Sequence, residues 1–188
     1  TVYYDFASDK GQVSNRLPLL PAGVWEVAYG KKIRDILKDL DSGSIVNSIP
    51  EGLKAVLADN TALFTYDGEV QKVPVAQSFP KGSPKGYSGY DFSALKDSLK
   101  TRYILIYRLQ EYGYLAAENL GAGYISYGMG LIDKETNEIL WSAGSEVMRM
   151  VKGAFPHASV TKEELMGMYG PIIKGSILSV MDQLKNEK

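Results

Sequence analysis

Two apolar runs near the middle of the chain decide its fold: TRYILIYRLQEYGY at residues 101–114 and GYISYGMGLIDKETNEILWSAGSEVMRM at residues 123–150. Their β-branched and aromatic residues are typical of buried strands. We predict three consecutive strands, which are Tyr103 to Gln110, Gly121 to Ile132 and Glu138 to Val151. The compact polar stretch Asp133 to Asn137 predicts a hairpin between the last two, so the three strands should form an antiparallel meander.

Two residues of this hairpin carry specific expectations. Asn137 should adopt positive φ, since it is the turn residue that best tolerates that backbone region, and Asn137→Gly should then be neutral or slightly stabilising. Trp141 should be buried, on a strand face that it shares at period two with Ile139, Ala143 and Val147.

Helices should flank the meander on both sides along the chain. A helical period starts at Val24 and should end near Asp41 to Gly43. Ser48 and Glu51 have the spacing of a capping box with Pro50 in the first turn, which predicts the start of a second helix. The last helix should start at Thr161, where Glu164 completes another capping box, and Gly170-Pro171 should kink or split it.

The remaining segments are less regular. Residues 62–66 and 70–75 predict two short strands, of which Pro74 confines the second to a sheet edge. Residues 1–23 predict an extended segment on the core without a clear opening strand, and residues 78–90 a long flexible loop. Together the patterns predict one domain over residues 1–188, of the α/β class (α+β-like), with a mixed β-sheet flanked by helices.

Composition excludes several function classes. The 21 basic and 22 acidic residues give a net charge of −1, which offers no broad field for nucleic acid. Cysteine is absent, so disulfides and thiolate metal sites are excluded, and no segment has the ~20 apolar residues that span a bilayer. The chain starts at Thr1 without an initiator Met, and we expect that an N-terminal piece was removed by processing or by deliberate truncation.

Candidate reactive groups are few. His157 is the only histidine, without evident partners for catalysis or metal binding, so we interpret it as a surface loop residue. Glu111, Glu118 and Glu146 would form an acid/base pair only if the fold brought two of them together. The glycines between residues 121 and 130 lack dinucleotide-binding spacing and indicate strand bends or close backbone approaches. We therefore predict no catalytic residue, no metal and no cofactor.

Tyrosine is the unusual component, with 13 residues. Several of them cluster around the predicted loop and strand ends, at Tyr87, Tyr90, Tyr112, Tyr114, Tyr124 and Tyr127. Tyrosines bring contact area and a polar tip, so a partner-binding face is one interpretation. Its candidate residues are Tyr87, Tyr90, Tyr112 and Tyr114, with a small positive patch at Lys81 and Lys85. The other interpretation is core packing with hydroxyl groups at the rim.

The segment Tyr103 to Ala143 resembles a known family. Its apolar strand ending in Gln110-Glu111-Tyr112-Gly113, the following strand into the turn Asp133 to Asn137, and the pair Leu140-Trp141 resemble bacterial outer-membrane putative lipoproteins related to LpoB and the CsgG N-terminal-like domain. Asn137 stands where that family usually has glycine. The resemblance implies a mixed sheet with helices, a periplasmic location, a lipid anchor on an N-terminal Cys and action through protein contacts.

Two function classes therefore remain. The first is a non-catalytic periplasmic lipoprotein, anchored to the outer membrane, that contacts an envelope protein or itself in envelope assembly or maintenance. The second is a small-molecule-binding module or undetected hydrolase that uses a tyrosine-lined cleft. A deep polar pocket with paired carboxylates would favour the second class.

Overall fold

The computed structural model describes residues 1–6, 12–15, 31–40, 42–59, 69–74, 90, 92, 95, 97–99, 101–117, 120–150 and 160–186. Its strands are β1 (Val2–Phe6), β2 (Gln12–Asn15), β3 (Val70–Lys72), β4 (Tyr103–Ala117), β5 (Leu120–Asp133) and β6 (Ile139–Met150). Its helices are α1 (Lys31–Lys38), α2 (Ser42–Ala58) and α3 (Lys162–Asn186).

The strands form one mixed sheet in the order β3-β1-β4-β5-β6, and β2 pairs with β4 further along that strand. β1 runs parallel to both β3 and β4, and β2 is also parallel to β4. β4, β5 and β6 are antiparallel neighbours. The predicted mixed sheet and its antiparallel meander are confirmed.

The first meander strand is longer than the sequence predicted. β4 continues past Gln110 to Ala117, because a bulge between Leu109 and Glu111 interrupts the alternation without ending the strand. The apolar run breaks at the polar pair Gln110-Glu111, so the sequence pattern predicted the end of the strand there. Beyond the bulge, Tyr112 and Tyr114 return to the face that carries Leu109.

A second bulge changes the face assignment around Trp141. Leu131 pairs with Trp141 while the next residue, Ile132, pairs with Ile139, so Leu140 is the extra residue. Trp141 is 8% exposed and packs in the main core with Ala143 and Val147, which confirms its predicted burial. Placing Ile139 on that face was wrong, because the bulge turns Ile139 to the opposite side of the sheet.

The hairpin turn has the predicted backbone. Asn137 has φ of 59°, as expected, and its N–H donates to the carbonyl of Asp133 at 2.8 Å. Its side chain has a role that the sequence did not indicate: Oδ1 accepts a buried hydrogen bond of 3.1 Å from the N–H of Phe92. The expectation that Asn137→Gly is neutral is therefore corrected, because glycine would remove that acceptor.

The beginning of the chain contains a strand that the sequence analysis missed. β1 lies between β3 and β4, so Val2 to Phe6 is an interior strand rather than a segment lying on the core. Its five residues include polar Asp5 and carry no uniform alternation, which hid it. β3 is an edge strand, as Pro74 predicted, while residues 62–66 and most of 78–90 lie outside the described residues.

The helices also differ in part. The capping box at Ser48 does not start α2, which begins at Ser42 and contains Pro50 in its interior. The buried stripe Ile45, Ile49, Leu53, Val56 and Leu57 runs through the proline and outweighs its helix cost of ~3 kcal/mol. The capping box at Thr161 and Glu164 is present, with hydrogen bonds of 2.9 and 3.2 Å.

α3 is a single helix through Gly170 and Pro171, so the alternative of a split was wrong. Ile172 and Ile173 beyond the proline are as deeply buried as Met168 and Tyr169 before it, and this shared packing keeps the helix continuous. None of the helices in the described ranges combines the length and the apolar composition that a membrane span requires.

Candidate functional site: a groove on the open face of the sheet

The two faces of the sheet are covered unequally. One face carries the main core, in which Leu105, Tyr107 and Leu109 of β4 pack with residues of all three helices. The other face, which we call the open face, carries a smaller apolar cluster of Tyr3, Tyr90, Phe92, Ile104, Ile106 and Ile132. β4 is therefore buried on both sides of the sheet between Ile104 and Tyr107, whereas the open face of β5 and β6 extends beyond that cluster.

A groove of about 810 Å³ is lined mainly by residues of this open face, and Gln183 of α3 also lines it. Alternation along the strands gives its floor small residues: Ser126, Gly128 and Gly130 on β5, with Ser142 and Gly144 on β6. In cross-strand register, Arg108, Gly128 and Gly144 form one row, while Ile106, Gly130 and Ser142 form the next. The floor is therefore mostly backbone. We call it the glycine groove.

The three glycines of the floor differ in how much space a side chain would have at each position. A Cβ at Gly144 would lie 2.5 Å from the carbonyl oxygen of Tyr127 and 3.0 Å from Cα of Gly128, so packing requires glycine there. A Cβ at Gly128 would lie 3.4 Å from the side-chain amide nitrogen of Gln110 and 3.9 Å from the carbonyl oxygen of Ala143. At Gly130 the nearest atom would be the carbonyl oxygen of Trp141, at 3.7 Å, which is ordinary contact.

Packing thus gives no reason for glycine at position 130. Glycine in a strand interior costs roughly 0.5–1 kcal/mol relative to alanine, and it often marks a place where another backbone or a ligand approaches closely. At Gly130 the glycine groove consequently exposes strand backbone that a side chain could cover without a clash.

The polar side chains beside the groove form an ion pair and hydrogen bonds with one another. Arg108 Nε lies 3.5 Å from a carboxylate oxygen of Asp5, and the Tyr90 hydroxyl donates to the same carboxylate oxygen. The Ser126 hydroxyl donates to the Gln110 side chain at 3.1 Å. Arg108 is the one charged residue in the described lining, and Asp5 balances it. The groove therefore presents a neutral polar surface.

The structure separates the tyrosines that the sequence grouped. Tyr112 and Tyr114 are 1% and 0% exposed in the main core, where Tyr112 meets Tyr169 edge-on at 5.5 Å between ring centres. Tyr90 packs on the opposite face of the sheet. The core-packing interpretation thus applies to Tyr112 and Tyr114, which offer no surface to a partner in this fold. Tyr87, Lys81 and Lys85 lie outside the described residues, so their role in binding stays a prediction.

Tyr124 and Tyr127 are also divided between the faces, because they are an odd number of residues apart on one strand. Tyr127 stacks on Tyr107 in the main core, with ring centres 5.8 Å apart. The Tyr124 hydroxyl donates to the carboxylate of Glu111 at the open face. Burial raises the pKa of Tyr107 and of Tyr127 above the usual tyrosine value.

The candidate acid and base residues do not form a compact pair. Glu111 and Glu146 occupy one cross-strand row on either side of Ser126, so two strand spacings, about 10 Å, separate their backbones. Neither lines the glycine groove. Glu118 and His157 lie outside the described residues, and within the described ranges no group of three His, Cys, Asp or Glu could hold a metal ion.

The sequence contains a pattern that indicates the groove. Ser126-x-Gly128-x-Gly130 and Ser142-x-Gly144 place small residues at period two on two strands that the hairpin makes neighbours. Recognising a groove from this signal also requires the register, which the bulge at Leu140 shifts by one residue.

Comparisons with known proteins give no family assignment. No family model matches the chain, and no curated protein matches it. Among solved structures, lipoprotein GNA1162 from Neisseria meningitidis is similar at 14% identity and a TM-score of 0.32, over 99% of each chain. The C-terminal domain of LpoB from Salmonella enterica is similar at 12% identity and a TM-score of 0.20, over 79% of this chain and 82% of that one.

A third similar structure is a protein of the DUF330 family from Xanthomonas campestris, at 12% identity and a TM-score of 0.35. The match covers 48% of this chain, which spans 52% of that protein. One of these three similar structures, GNA1162, is described as a lipoprotein. The relation to the CsgG N-terminal-like domain stays a prediction.

Proposed function

We propose that this domain is non-catalytic, lies in the periplasm under an outer-membrane lipid anchor, and acts through protein contacts in envelope assembly or maintenance. The glycine groove is the observation that carries the contact role. Its floor of strand backbone, Ser126 and Ser142, with a balanced charge at Arg108 and Asp5, suits a neutral polar segment of a partner protein.

The envelope location and the anchor are supported by the sequence resemblance over Tyr103 to Ala143. An anchor would hold the domain near its partner, so that weak contacts suffice through a high effective concentration. A broad, neutral groove fits contacts of this kind.

The alternative was a small-molecule site or a hydrolase with a tyrosine-lined cleft. Its expected feature was a deep pocket with paired carboxylates. The described lining of the glycine groove holds no Asp or Glu. Of its two tyrosines, Tyr90 donates its hydroxyl to Asp5, and Tyr127 stacks its ring on Tyr107 in the main core. The groove therefore favours the contact role over this alternative.

Site-specific photo-cross-linking in cells that express the full-length precursor tests the proposal. A photoreactive residue at Ser142, which is exposed in the groove, should give a discrete adduct with another protein in the envelope fraction. The same residue at Lys174, which is exposed on α3, is the matched control and should give none. Equal labelling from both positions, no adduct at Ser142, or recovery in the soluble cytoplasm without signal-peptide cleavage would overturn the proposal.

A further inference from the structure

The two edges of the sheet are built differently. β3 has three residues, exposes Gln71 and Lys72, and is followed by Pro74. Shortness, lysine and proline are the devices by which proteins prevent strand pairing at an edge. β6 has twelve residues and contains no lysine and no proline. The edge at β3 thus has features that prevent pairing with another strand, and the edge at β6 lacks lysine and proline.

The outer edge of β6 is accessible along its middle. Ser142, Gly144, Ser145 and Glu146 are all exposed, and no strand of the described ranges pairs on that side. Ser145 points to the α3 side of the sheet, since it pairs with the core residue Tyr127, yet it is exposed. α3 therefore leaves β6 uncovered around Ser145, and the outward backbone groups there could pair with another strand.

Side chains alternate between the two sides of the sheet, and this limits the registers in which β6 could pair with the β6 of a second copy. Facing residues of antiparallel strands point to the same side of the sheet, so a strand that pairs with its own copy about a twofold axis must centre on one residue. The regular part of β6 beyond the Leu140 bulge is Trp141 to Met150. Its longest self-overlap is centred on Ser145 or on Glu146. Centring on Glu146 would set two like charges opposite each other, which is destabilising.

We infer that two copies of this chain pair antiparallel through β6 about a twofold axis at Ser145, which joins their sheets into one. In this register Trp141 faces Arg149 of the second copy, a pairing of an aromatic ring with a cation. Ala143 faces Val147, and Gly144 faces Glu146. No pair in this register sets like charges opposite each other, so the edge is complementary to itself.

This pairing concerns the protein alone and does not depend on an envelope partner. It can fail while the contact role of the glycine groove holds, and the reverse is also possible. The isolated chain is therefore the right sample for its test.

Single cysteines provide that test, because the chain has none of its own. Ser145→Cys puts the two thiols opposite each other on the axis, where facing Cβ atoms are about 5 Å apart, and mild oxidation should give a covalent dimer. Ser142→Cys is the matched control, since it changes the same residue type, also exposed, on the same strand. Its two thiols would be offset by six residues, about 20 Å, and should not cross-link.

Mass measurement by light scattering completes the experiment. The unmodified chain should show twice the 20.7 kDa protomer mass at high concentration, and Ser145→Lys should show one protomer while still unfolding in one cooperative transition. A monomer at every concentration, or disulfide formation by Ser142→Cys at the same rate as Ser145→Cys, would overturn the inference.

Discussion

At the scale of single residues, Asn137 combines two roles that a substitution can separate. We predict that Asn137→Gly lowers the free energy of unfolding by about 1–3 kcal/mol, because the buried N–H of Phe92 loses its acceptor although the backbone conformation suits glycine. Asn137→Asp keeps an acceptor oxygen and tolerates positive φ, so it should lose less. Urea unfolding of the two variants measures this, and equal stabilities would contradict the role of the side chain.

Trp141 and its neighbour Leu140 form a natural pair for comparison. Trp141→Ala should lower the free energy of unfolding by about 3–5 kcal/mol, because the indole fills the main core. Leu140→Ala should change it by about 0.5 kcal/mol or less, since the bulge leaves this side chain 48% exposed. Chemical denaturation would reveal the contrast, and similar losses at both positions would refute the position of the bulge.

At the scale of elements, the hairpin between β5 and β6 depends on an ionised carboxylate. Arg102 donates to Asp133 Oδ2 at 2.6 and 2.9 Å, and the N–H of Glu135 donates to Oδ1 at 2.9 Å. These bonds hold the pKa of Asp133 below its usual value, the Arg102 hydrogen bond being the main cause. A lowered pKa in the folded state means that the stabilisation is present above the unfolded pKa of about 3.9 and is lost as pH falls through the folded value.

We therefore predict that the urea midpoint of the wild type falls more steeply under acid conditions than that of Asp133→Asn. The asparagine variant has no carboxylate to protonate at this position, so its loss with pH should be smaller. Parallel curves for the two proteins would show that Asp133 does not couple hairpin stability to pH.

The elements also show how far sequence reasoning reaches. The meander, its turn and the capping box of α3 could be predicted, because each rests on residues that are close in the chain. β1 could not, since its parallel pairing joins Val2 to Leu105 and no local pattern encodes that distance. The two bulges were also missed, because each depends on pairing with a neighbouring strand. The bulge in β4 places Tyr112 and Tyr114 on the core face of the sheet, whereas Tyr90 packs on the open face.

At the scale of the whole molecule, buried tyrosines link stability to alkaline pH. Burial raises the pKa values of Tyr107, Tyr114, Tyr127 and Tyr169. Above about pH 10 the unfolded chain loses protons from these phenols that the folded protein retains, so stability should decrease as pH rises. Tyrosinate absorbance of these residues should appear together with loss of near-ultraviolet circular dichroism. Their ionisation in a protein that stays folded would contradict the burial.

The central claim is that glycine at position 130 keeps the floor of the glycine groove accessible for a protein contact and is not required for folding. Gly130→Val tests it most directly, because a Cβ there meets nothing closer than 3.7 Å and valine favours a strand. Gly175→Ala is the control, on α3 with open space around its Cβ. The account predicts that Gly130→Val keeps or raises the unfolding midpoint and abolishes the adduct formed from Ser142 in the envelope, while Gly175→Ala leaves the adduct unchanged. A folded Gly130→Val protein that still forms the adduct would contradict it.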